Sequence, residues 1–466
     1  MAMGRRKGER QASLFIMTDD LPKSGGHPFY QRLNGLLKEA EFDTWAEELC
    51  RPFYEEVERR GRPSLPPGVY FRMLLIGYFE GIDSERGIAW RCADSLSLRA
   101  FLGIALTERT ADHSTLSDTR KRLPTDVFVR VFQFVLQLAG AKQLLSGKTV
   151  AVDSTTLEAN AAMKSIIRRD TGEDWKEYVT RLMREDGVIA PEEKPSDEDV
   201  RRFDKGRKDK KVSNDEWVSE TDPDARIAKL KDGRTHLAYK AEHVVDLATN
   251  IIVAAEIYPA DHGDTQTLVD SVMLAQVHLE QVDESLQIEE VVADKGYHAA
   301  ATIEHCDAVQ LRTYIPEPKR QHNAQWTDKP ADDQRCVAKN RRRIQRPKSK
   351  QFQRRRSELC ERTFAHVCDT GGQRRSWLRG LIDVSKRYLI AVAGHNLSQI
   401  LRQLFGIGKP RRLQGAAAAM AALAALLGAL CPFPRRHPRP RNTPETFPHP
   451  FELARSANSH GRYQIA

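Results

Sequence analysis

Three acidic residues stand at positions from which their carboxylates could meet in a folded chain. Asp153 follows the apolar run 150–152, Asp294 follows the apolar run 291–293, and Glu361 comes just after an arginine-rich stretch. A carboxylate at the edge of a buried sheet needs a cation or several donors to offset its desolvation. Carboxylates that converge can hold two divalent cations, which in-line displacement at a phosphodiester uses. We therefore predict Asp153, Asp294 and Glu361 as metal ligands and catalytic residues.

The third ligand has an alternative, because Glu358 and Glu361 lie three residues apart on one predicted helix and share a face. Either glutamate could reach a metal, or both could be exposed and pair with Arg354, Arg355 or Arg362. A single Asp after a strand is common in turns and caps, so the prediction depends on finding two of them in apolar strands. Mg²⁺ is the expected ion, since it takes oxygen ligands and keeps bound waters, and Mn²⁺ is the expected substitute.

Basic residues are concentrated just before the predicted ligand helix. Eleven Lys and Arg residues and no acidic residue lie between Arg335 and Arg356 inclusive. Such a run is usually a solvated face. This one leads into the helix of Glu358 and Glu361, where it could neutralise DNA phosphates and make binding salt-dependent.

A second basic group, residues 120–122, follows Asp112 and Ser114, either of which could cap a helix. Such a helix could be the DNA-reading helix of a helix-turn-helix, or a surface helix whose basic end the helix dipole favours. The predicted DNA-binding residues are Arg120, Lys121, Arg122, Arg341, Arg342, Arg343, Arg346, Lys348, Arg354, Arg355, Arg356 and Arg362.

The elements that would position these residues fall into two predicted domains of an α/β protein. After a flexible N-terminus at 1–26, apolar residues at helical spacing predict an all-helical DNA-binding domain at 27–140. Strand patterns begin at residue 148 and predict a catalytic domain at 145–408, with ligands at the carboxyl ends of parallel strands. Its predicted parts are a charged insertion at 163–232, a hairpin at 236–258, a helix from 263, strands ending at 294 and 318, and a helix at 384–405. The composition of residues 409–466 predicts an alanine-rich helix followed by a Pro/Arg-rich tail that is partly disordered.

Composition narrows the class of protein. The 466 residues and the net charge of +9 favour several domains and an anionic partner. Seven scattered cysteines argue against a disulfide scaffold and for a reducing cytoplasm. The set Cys336, Cys360, His366 and Cys368 lacks a Cys-x-x-Cys pair, so we predict no structural zinc. The apolar run 415–430 is shorter than the roughly 20 residues of a membrane span. The sequence contains no phosphate-binding glycine loop, so we predict no nucleotide cofactor.

Segments along most of the chain resemble bacterial insertion-sequence transposases of the DDE group. In the front part they are HPFYQRLNGLL, GRPSLPPGVYFRMLLIGYFEGIDSERGIAWRCADSLSLRAFLG and DHSTLSDTRKRL. In the later part they are VDSTTLEANAAM, DGRTHLAYKAEHVVDL, ADKGYH, NRRRIQR, RRRSELCERTFAHVCDTGG and KRYLIAVAGHNL. The resemblance implies a ribonuclease-H-like mixed sheet with flanking helices. It also implies Asp153, Asp294 and Glu361 as the three metal ligands.

The resemblance further implies an enzyme that binds the terminal inverted repeats of its element as a homo-dimer or higher oligomer. Such an enzyme would cut double-stranded DNA with Mg²⁺ and join it to a target, in the cytoplasm and on the nucleoid. Many relatives carry a basic residue about two turns after the glutamate; Cys368 stands nearby here, which leaves Arg362 or Arg374. The alternatives are a metal-dependent nuclease without strand transfer and a catalytically silent DNA-binding remnant. The tail after Leu413 does not resemble the family strongly, which keeps the remnant open as an alternative to the active enzyme.

Overall fold

The computed structural model describes residues 26–54, 64–208, 212–229, 233–318 and 330–410. The predicted flexible N-terminus before Gly26 and the predicted alanine-rich helix and tail beyond residue 410 lie outside these ranges. No described helix combines the length and the apolar composition that a membrane crossing requires.

The front part of the chain is helical, as its apolar spacing predicts. Its helices are α1 (Pro28–Glu39), α2 (Phe42–Cys50), α3 (Pro67–Glu80), α4 (Glu85–Asp94), α5 (Leu96–Leu102), α6 (His113–Arg122) and α7 (Thr125–Ala141). Helix α3 is buried on nearly all sides; it begins at Pro67, where a missing N–H costs little, and ends at Gly81 with φ of 72°. Asp112 caps α6 by accepting a hydrogen bond from the Thr115 N–H at 3.0 Å, which confirms the predicted cap.

A mixed sheet forms the centre of the later part. The strands are β1 (Thr149–Glu158), β2 (Ile166–Arg168), β3 (Trp217–Ser219), β4 (Arg226–Lys229), β5 (Thr235–Asp246), β6 (Ile252–Pro259), β7 (Glu290–Val292) and β8 (Arg312–Tyr314). The main sheet has the order β4-β5-β1-β7-β8, and β6 also pairs with β5. Strand β5 is antiparallel to β1 and β6, whereas β7 is parallel to β1 and β8. The α/β class and the predicted hairpin, formed by β5 and β6, are therefore confirmed.

Helices cover both faces of this sheet. The later helices are α8 (Trp175–Glu185), α9 (Asp197–Gly206), α10 (Asp264–Glu280), α11 (Ala300–Ala308), α12 (Ala331–Ile344), α13 (Pro347–Phe364) and α14 (Leu381–Phe405). Neighbouring residues of a strand point to opposite faces. On β5, Glu242 accepts hydrogen bonds from Thr267 and Ser271 of α10, whereas His243 contacts Thr363 of α13. Helices α10 and α13 therefore lie on opposite faces.

One apolar cluster joins the front helices to the sheet. Phe132 of α7, Ile252 of β6 and Leu397 of α14 are buried within it, and α14 packs against α3, α7 and β6. The predicted division between residues 140 and 145 therefore does not separate two cores. A domain boundary would need few contacts across it, and here the longest described helix bridges both sides.

The charged segment 163–232 has a small core of its own. Helices α8 and α9 pack around Val179, Met183 and Val200, and β2 pairs with β3. The described part of the segment therefore consists of two helices and a short strand pair joined by loops. Its predicted end at residue 232 lies too far along the chain, because β4 pairs with β5 in the main sheet.

Two buried asparagines satisfy backbone groups beside outer strands of the sheet. Asn396 of α14 accepts a hydrogen bond from the Ile252 N–H at 2.9 Å and donates one to the Ile252 carbonyl at 2.8 Å. Asn340 of α12 likewise accepts a hydrogen bond from the N–H of Ile315, just after β8, at 3.3 Å and donates one to the Ile315 carbonyl at 2.8 Å. A buried backbone group without a partner costs about 1–3 kcal/mol, so these side chains attach α14 and α12 to the sheet.

We expect Asn396→Ala to lower the free energy of unfolding by about 2–4 kcal/mol, because both backbone groups of Ile252 lose their partners. Gln403→Ala, at an exposed position of the same helix, is the control and should change the free energy of unfolding by less than about 0.5 kcal/mol. Urea denaturation followed by circular dichroism measures both. Equal denaturation midpoints for the two variants would contradict the role of Asn396.

Candidate active site

The register between β1 and β7 brings two of the predicted ligands together. These parallel strands pair Ala151 with Val292, and continuing the register by two residues sets Asp153 beside Asp294. Asp294 follows the end of β7, as predicted. Asp153 does not end its strand, contrary to prediction: β1 continues to Glu158 because β5 keeps pairing with it after β7 has stopped.

A third carboxylate, which the sequence analysis missed, lies beside Asp294. The Asp294 side chain accepts a hydrogen bond from the Gly296 N–H at 2.7 Å. A Cβ placed on Gly296 would lie 3.0 Å from Oδ1 of Asp294 and 2.9 Å from Oδ2 of Asp264. Glycine therefore leaves room for both carboxylates. Asp264 is the first residue of α10, and its position next to Asp294 depends on tertiary packing that no local pattern reveals.

The electrostatics of Asp153 reflect this grouping. Burial raises the pKa of the Asp153 carboxyl above its ordinary value, and the charges of Asp294 and Asp264 raise it further. Arg356 and the Ser154 N–H lower the same pKa. Oδ2 of Asp153 accepts a hydrogen bond from Nη1 of Arg356 at 2.9 Å, and Oδ1 accepts one from Ser154 at 2.9 Å.

Helix α13 lies across the strands that carry these groups. Nε2 of Gln353 donates to the carbonyls of Ala293 and Tyr314, at 3.1 and 2.7 Å, so the helix is attached where β7 and β8 end. One turn later Arg356 reaches Asp153. The helix is amphipathic in the usual sense, with one face on the sheet and its arginine-rich face outward.

The two candidate glutamates of α13 have different partners. Glu361 accepts a hydrogen bond from the Ser357 hydroxyl at 3.1 Å. Glu358 pairs with Arg362 at 2.5 Å on the exposed side of the helix. Burial raises the pKa of the Cys360 thiol between these glutamates, and the charges of Asp153 and Glu361 raise it further.

The donor chemistry of this site fits a hard divalent cation, because carboxylate oxygens are the ligands that Mg²⁺ and Mn²⁺ take. Gly296 leaves the space beside Asp264 and Asp294 free of a side chain. In the described part of the chain, however, no three His, Cys, Asp or Glu residues surround one metal position. Arg356 holds one oxygen of Asp153. The structure thus groups Asp153, Asp294 and Asp264, with Glu361 on the adjoining helix.

A buried polar network supports the turn that follows Asp294. Glu242 is almost fully buried and accepts hydrogen bonds from Thr267 at 2.8 Å, Ser271 at 2.6 Å and the Tyr297 hydroxyl at 2.7 Å. Tyr297 closes the 3₁₀ turn that Asp294 caps. A buried carboxylate needs several donors, and Tyr297 is the donor that ties this turn to β5.

Lys240 joins that network to the acidic group. Its Nζ lies 2.9 Å from Asp264 and 3.4 Å from Glu242, and Asp264 also accepts a hydrogen bond from the Ser154 hydroxyl at 3.0 Å. Lys240 interrupts an apolar strand at AYKAEH. A lysine within a buried strand indicates that a carboxylate lies nearby, but the sequence alone does not identify that carboxylate as Asp264.

The basic group at the end of α6 is divided between core and surface. Arg120 is buried, pairs with Glu85 and lies 3.3 Å from Asp383. Helix α6 turns the Arg120 side chain toward α4 and α14, and its predicted DNA contact stays a prediction. Lys121 and Arg122 are exposed, and their predicted role stays a prediction.

The later basic run also has mixed surroundings. Arg341 pairs with Glu317 at 2.7 Å and Lys348 with Glu290 at 2.6 Å, while Arg343 is half-buried and donates to Thr313. These contacts attach α12 and α13 to the neighbouring loops and strands. The residues of the run that are exposed and were predicted to bind DNA are Arg342, Arg346, Lys348, Arg354 and Arg355.

Arg374 is the better placed of the two candidates for the basic residue after the glutamate. Its Nη1 donates to the Thr155 hydroxyl at 3.1 Å, and Thr155 lies two residues beyond Asp153 on the same side of β1. Arg374 also pairs with Asp369 at 2.9 Å, and Arg362 pairs with Glu358 within its own helix. Cys368 is buried in the core.

The fold and the site together define an α/β protein with an acidic centre where parallel strands end. Residues 18–122 match the family model described as Transposase domain (DUF772). Residues 199–397 match the family model described as Transposase DDE domain, a stretch that includes Asp294 and Glu361 and begins after Asp153. No curated protein matches the chain.

The chain is therefore an insertion-sequence transposase of the DDE group, as its resemblance predicts. The DDE domain implies a ribonuclease-H-like fold and an enzyme of the nuclease and transposition class, with DNA as its partner. The mixed sheet agrees with that fold: β6, β5 and β1 form an antiparallel set, and β7 and β8 continue it in parallel.

We expect Tyr297→Phe to lower the free energy of unfolding by roughly 1.5–3 kcal/mol, because the buried Glu242 loses a donor to its charge. Tyr70→Phe is a matched control: the Tyr70 hydroxyl is buried and has no hydrogen-bond partner among the described residues. Its removal should leave stability unchanged or raise it. Chemical denaturation measures both variants, and an equal loss in the two would show that the Glu242 contact contributes nothing.

Proposed function

We propose that this transposase binds the terminal inverted repeats of its own element as a homo-dimer or higher oligomer. With two divalent cations, Mg²⁺ or Mn²⁺, it hydrolyses a phosphodiester at each end and frees a 3′-hydroxyl. That hydroxyl then attacks a phosphodiester of the target DNA, whose own 3′-oxygen leaves as the new bond forms. The observation that carries the proposal is the register of β1 and β7, which sets Asp153 beside Asp294. The match to the transposase DDE domain supports the reaction class.

Asp153, Asp294 and Glu361 would hold the cations, with Asp264 next to Asp294. Bound cations would neutralise charge on the attacking and leaving oxygens of an in-line displacement. Glu361 is preferred over Glu358 because Glu358 already has a cationic partner in Arg362. The family match includes Glu361 and Asp294.

The chain's own cations would position the substrate. Arg356 compensates the charge of Asp153, and from there its guanidinium is close enough to the acidic group to pair with a substrate phosphate instead. Arg374, beside Thr155, would contact the DNA strand farther along β1. Lys240 pairs with Asp264 and holds its side chain in place. The contribution of these residues is positioning and charge neutralisation.

Exposed arginines of α12 and α13 would guide DNA toward this site. Arg342, Arg346, Arg354 and Arg355 are exposed, and α13 carries Arg356 directly to Asp153. Each phosphate that such residues neutralise releases counterions, so binding weakens as salt rises. This supports DNA binding along the helix that also carries Glu361.

We expect Glu361→Gln to slow Mg²⁺-dependent cleavage of DNA that bears the element ends by about 10³-fold, because a lost metal ligand costs several kcal/mol of transition-state stabilisation. Glu358→Gln, one turn away, is the matched control and should cut at nearly the wild-type rate. Gel assays of cleavage and anisotropy assays of DNA binding separate catalysis from affinity. If Glu358→Gln loses activity and Glu361→Gln keeps it, the ligand assignment is wrong.

The same assay distinguishes the remaining functions. Joined donor and target products identify strand transfer, whereas hydrolysis without joining identifies a nuclease. Binding to the inverted repeats without any metal-dependent cutting by the wild-type chain identifies a silent remnant. If the Asp153→Asn variant still cleaves the end-bearing DNA with Mg²⁺, the basis of the proposal is removed.

We expect Arg374→Ala to slow single-turnover cleavage by about 10- to 100-fold, since a charged contact to phosphate contributes on the order of 1.5–3 kcal/mol. Arg362→Ala removes an exposed arginine of α13 that pairs with Glu358 and should change the rate little. Arg374→Lys keeps the charge and tests whether the guanidinium geometry matters. Thermal unfolding checks that Arg374→Ala remains folded, and equal rates for Arg374→Ala and Arg362→Ala would contradict the assignment.

A further inference from the structure

A pocket of about 190 Å³ lies between the starts of α4 and α6 and the segment 373–378. It is smaller than the roughly 300–1,000 Å³ of most small-molecule sites, which favours a small group as its occupant. The proposed cleavage chemistry uses none of its side chains. Those that matter here are Arg86, His113, Arg375, Trp377 and Arg387.

Arg387 gives this pocket a buried cation with an unused donor. The side chain is 7% exposed, and its Nη2 donates to the Ile82 carbonyl at 3.0 Å. Its Nη1 is buried and has no hydrogen-bond partner among the described residues. Burial lowers the pKa of Arg387 below its ordinary value. A buried guanidinium with an unpaired N–H is costly unless an acceptor completes it, so Arg387 favours an anion as the occupant of the pocket.

The rest of the lining is also suited to an anion. Helices α4 and α6, each ten residues long, begin at the pocket and direct the positive ends of their dipoles toward it. Nη2 of Arg86 lies 3.5 Å from Nε2 of His113, so two more basic groups stand together. The acidic lining residues are Asp83 and Glu85, and Glu85 already pairs with the buried Arg120.

We propose that this pocket binds one phosphate group of the DNA strand through Arg86, Arg375 and Arg387. This inference rests on the proposed function. Trp377 is 49% exposed, and the Arg375 guanidinium lies over its ring at 5.0 Å. An exposed aromatic ring with a stacked arginine beside a phosphate site is a platform for the adjoining sugar or base.

The position of the pocket relative to the acidic site predicts which phosphate it takes. The backbone of Arg375 forms a parallel β-bridge with that of Glu158, at the end of β1 and five residues beyond Asp153, and their side chains lie 3.7 Å apart. Five strand residues span about 17 Å, and the phosphates of one B-DNA strand recur about every 3.4 Å along the axis. A duplex that passes both points places the pocket roughly five phosphates from the scissile one.

The test uses the full chain and duplex DNA that bears the element ends, with affinity measured by fluorescence anisotropy over a range of salt. Arg86→Ala/Arg375→Ala removes two exposed cations of the pocket, and Arg130→Ala/Arg202→Ala removes two exposed arginines that do not line it. We expect the pocket variant to bind about tenfold more weakly, with the slope of log affinity against log salt shallower by about one. The control variant should keep the slope of the wild type.

The outcomes separate this inference from the proposed function. Wild-type affinity and slope in the pocket variant, with cleavage intact, overturn the pocket alone. An equal weakening in the control variant overturns it too, because the effect is then general charge. A wild-type chain that neither binds nor cuts the end-bearing DNA overturns both.

Two further arms identify the source of the phosphate. A single neutral methylphosphonate, moved along the strand, should weaken wild-type binding about five positions from the cut and leave the pocket variant unaffected. If no position along the strand behaves in this way, the inference is contradicted. Inorganic phosphate that binds the wild type in calorimetry, while DNA affinity does not depend on the pocket, identifies a site for a free small anion and also contradicts it.

Discussion

The close grouping of Asp153, Asp294 and Asp264 is the constraint on which the rest of the site depends. Burial already raises the pKa of Asp153, and each neighbouring carboxylate raises it again. Negative charge kept together in a partly buried place requires compensation. The chain supplies it from two sides, with Arg356 from α13 and Lys240 from β5. The acidic group can therefore exist before any cation or DNA arrives, because side-chain cations already offset part of its charge.

Helix α13 carries Arg356, which compensates the acidic group, and also Glu361. A network of uncharged hydrogen-bonding side chains holds the C-terminal end of this helix in place. Nδ1 of His243 lies 3.0 Å from the Thr363 hydroxyl, and Nε2 lies 2.7 Å from the Tyr388 hydroxyl. Burial lowers the pKa of His243 to about 3, so the imidazole is uncharged at neutral pH and the network does not change as pH varies around it. Because α13 is fixed to β5 in this way, packing sets the position of the helix that carries Glu361, whose own side chain is exposed.

The local pattern of apolar and turn residues predicted much of this fold. The features that it missed are set by contacts between segments that are far apart in the sequence. The hairpin of β5 and β6 and the position of Asp294 follow from alternation and turn residues over short stretches. The length of β1 does not, because its extension past Asp153 depends on β5, about ninety residues later in the register. The pairing of Lys240 with Asp264 and the burial of Arg120 are likewise set by helices that the sequence pattern predicts but cannot orient. Helix existence was predictable from periodicity, and the direction of individual charged side chains was not.

The burial of Arg120 changes how the front helices relate to the acidic site. Arg120 pairs with Glu85 of α4 and Asp383 of α14, and its carbonyl accepts a hydrogen bond from Lys386 at 3.2 Å. Breaking a buried pair by removing one partner typically costs about 3–5 kcal/mol, so this contact holds α6 firmly on α14. The exposed end of α6 then keeps a fixed position relative to the sheet. Because the front helices and the sheet share one core in the described part of the chain, the fold itself sets the distance between the end of α6 and the acidic site.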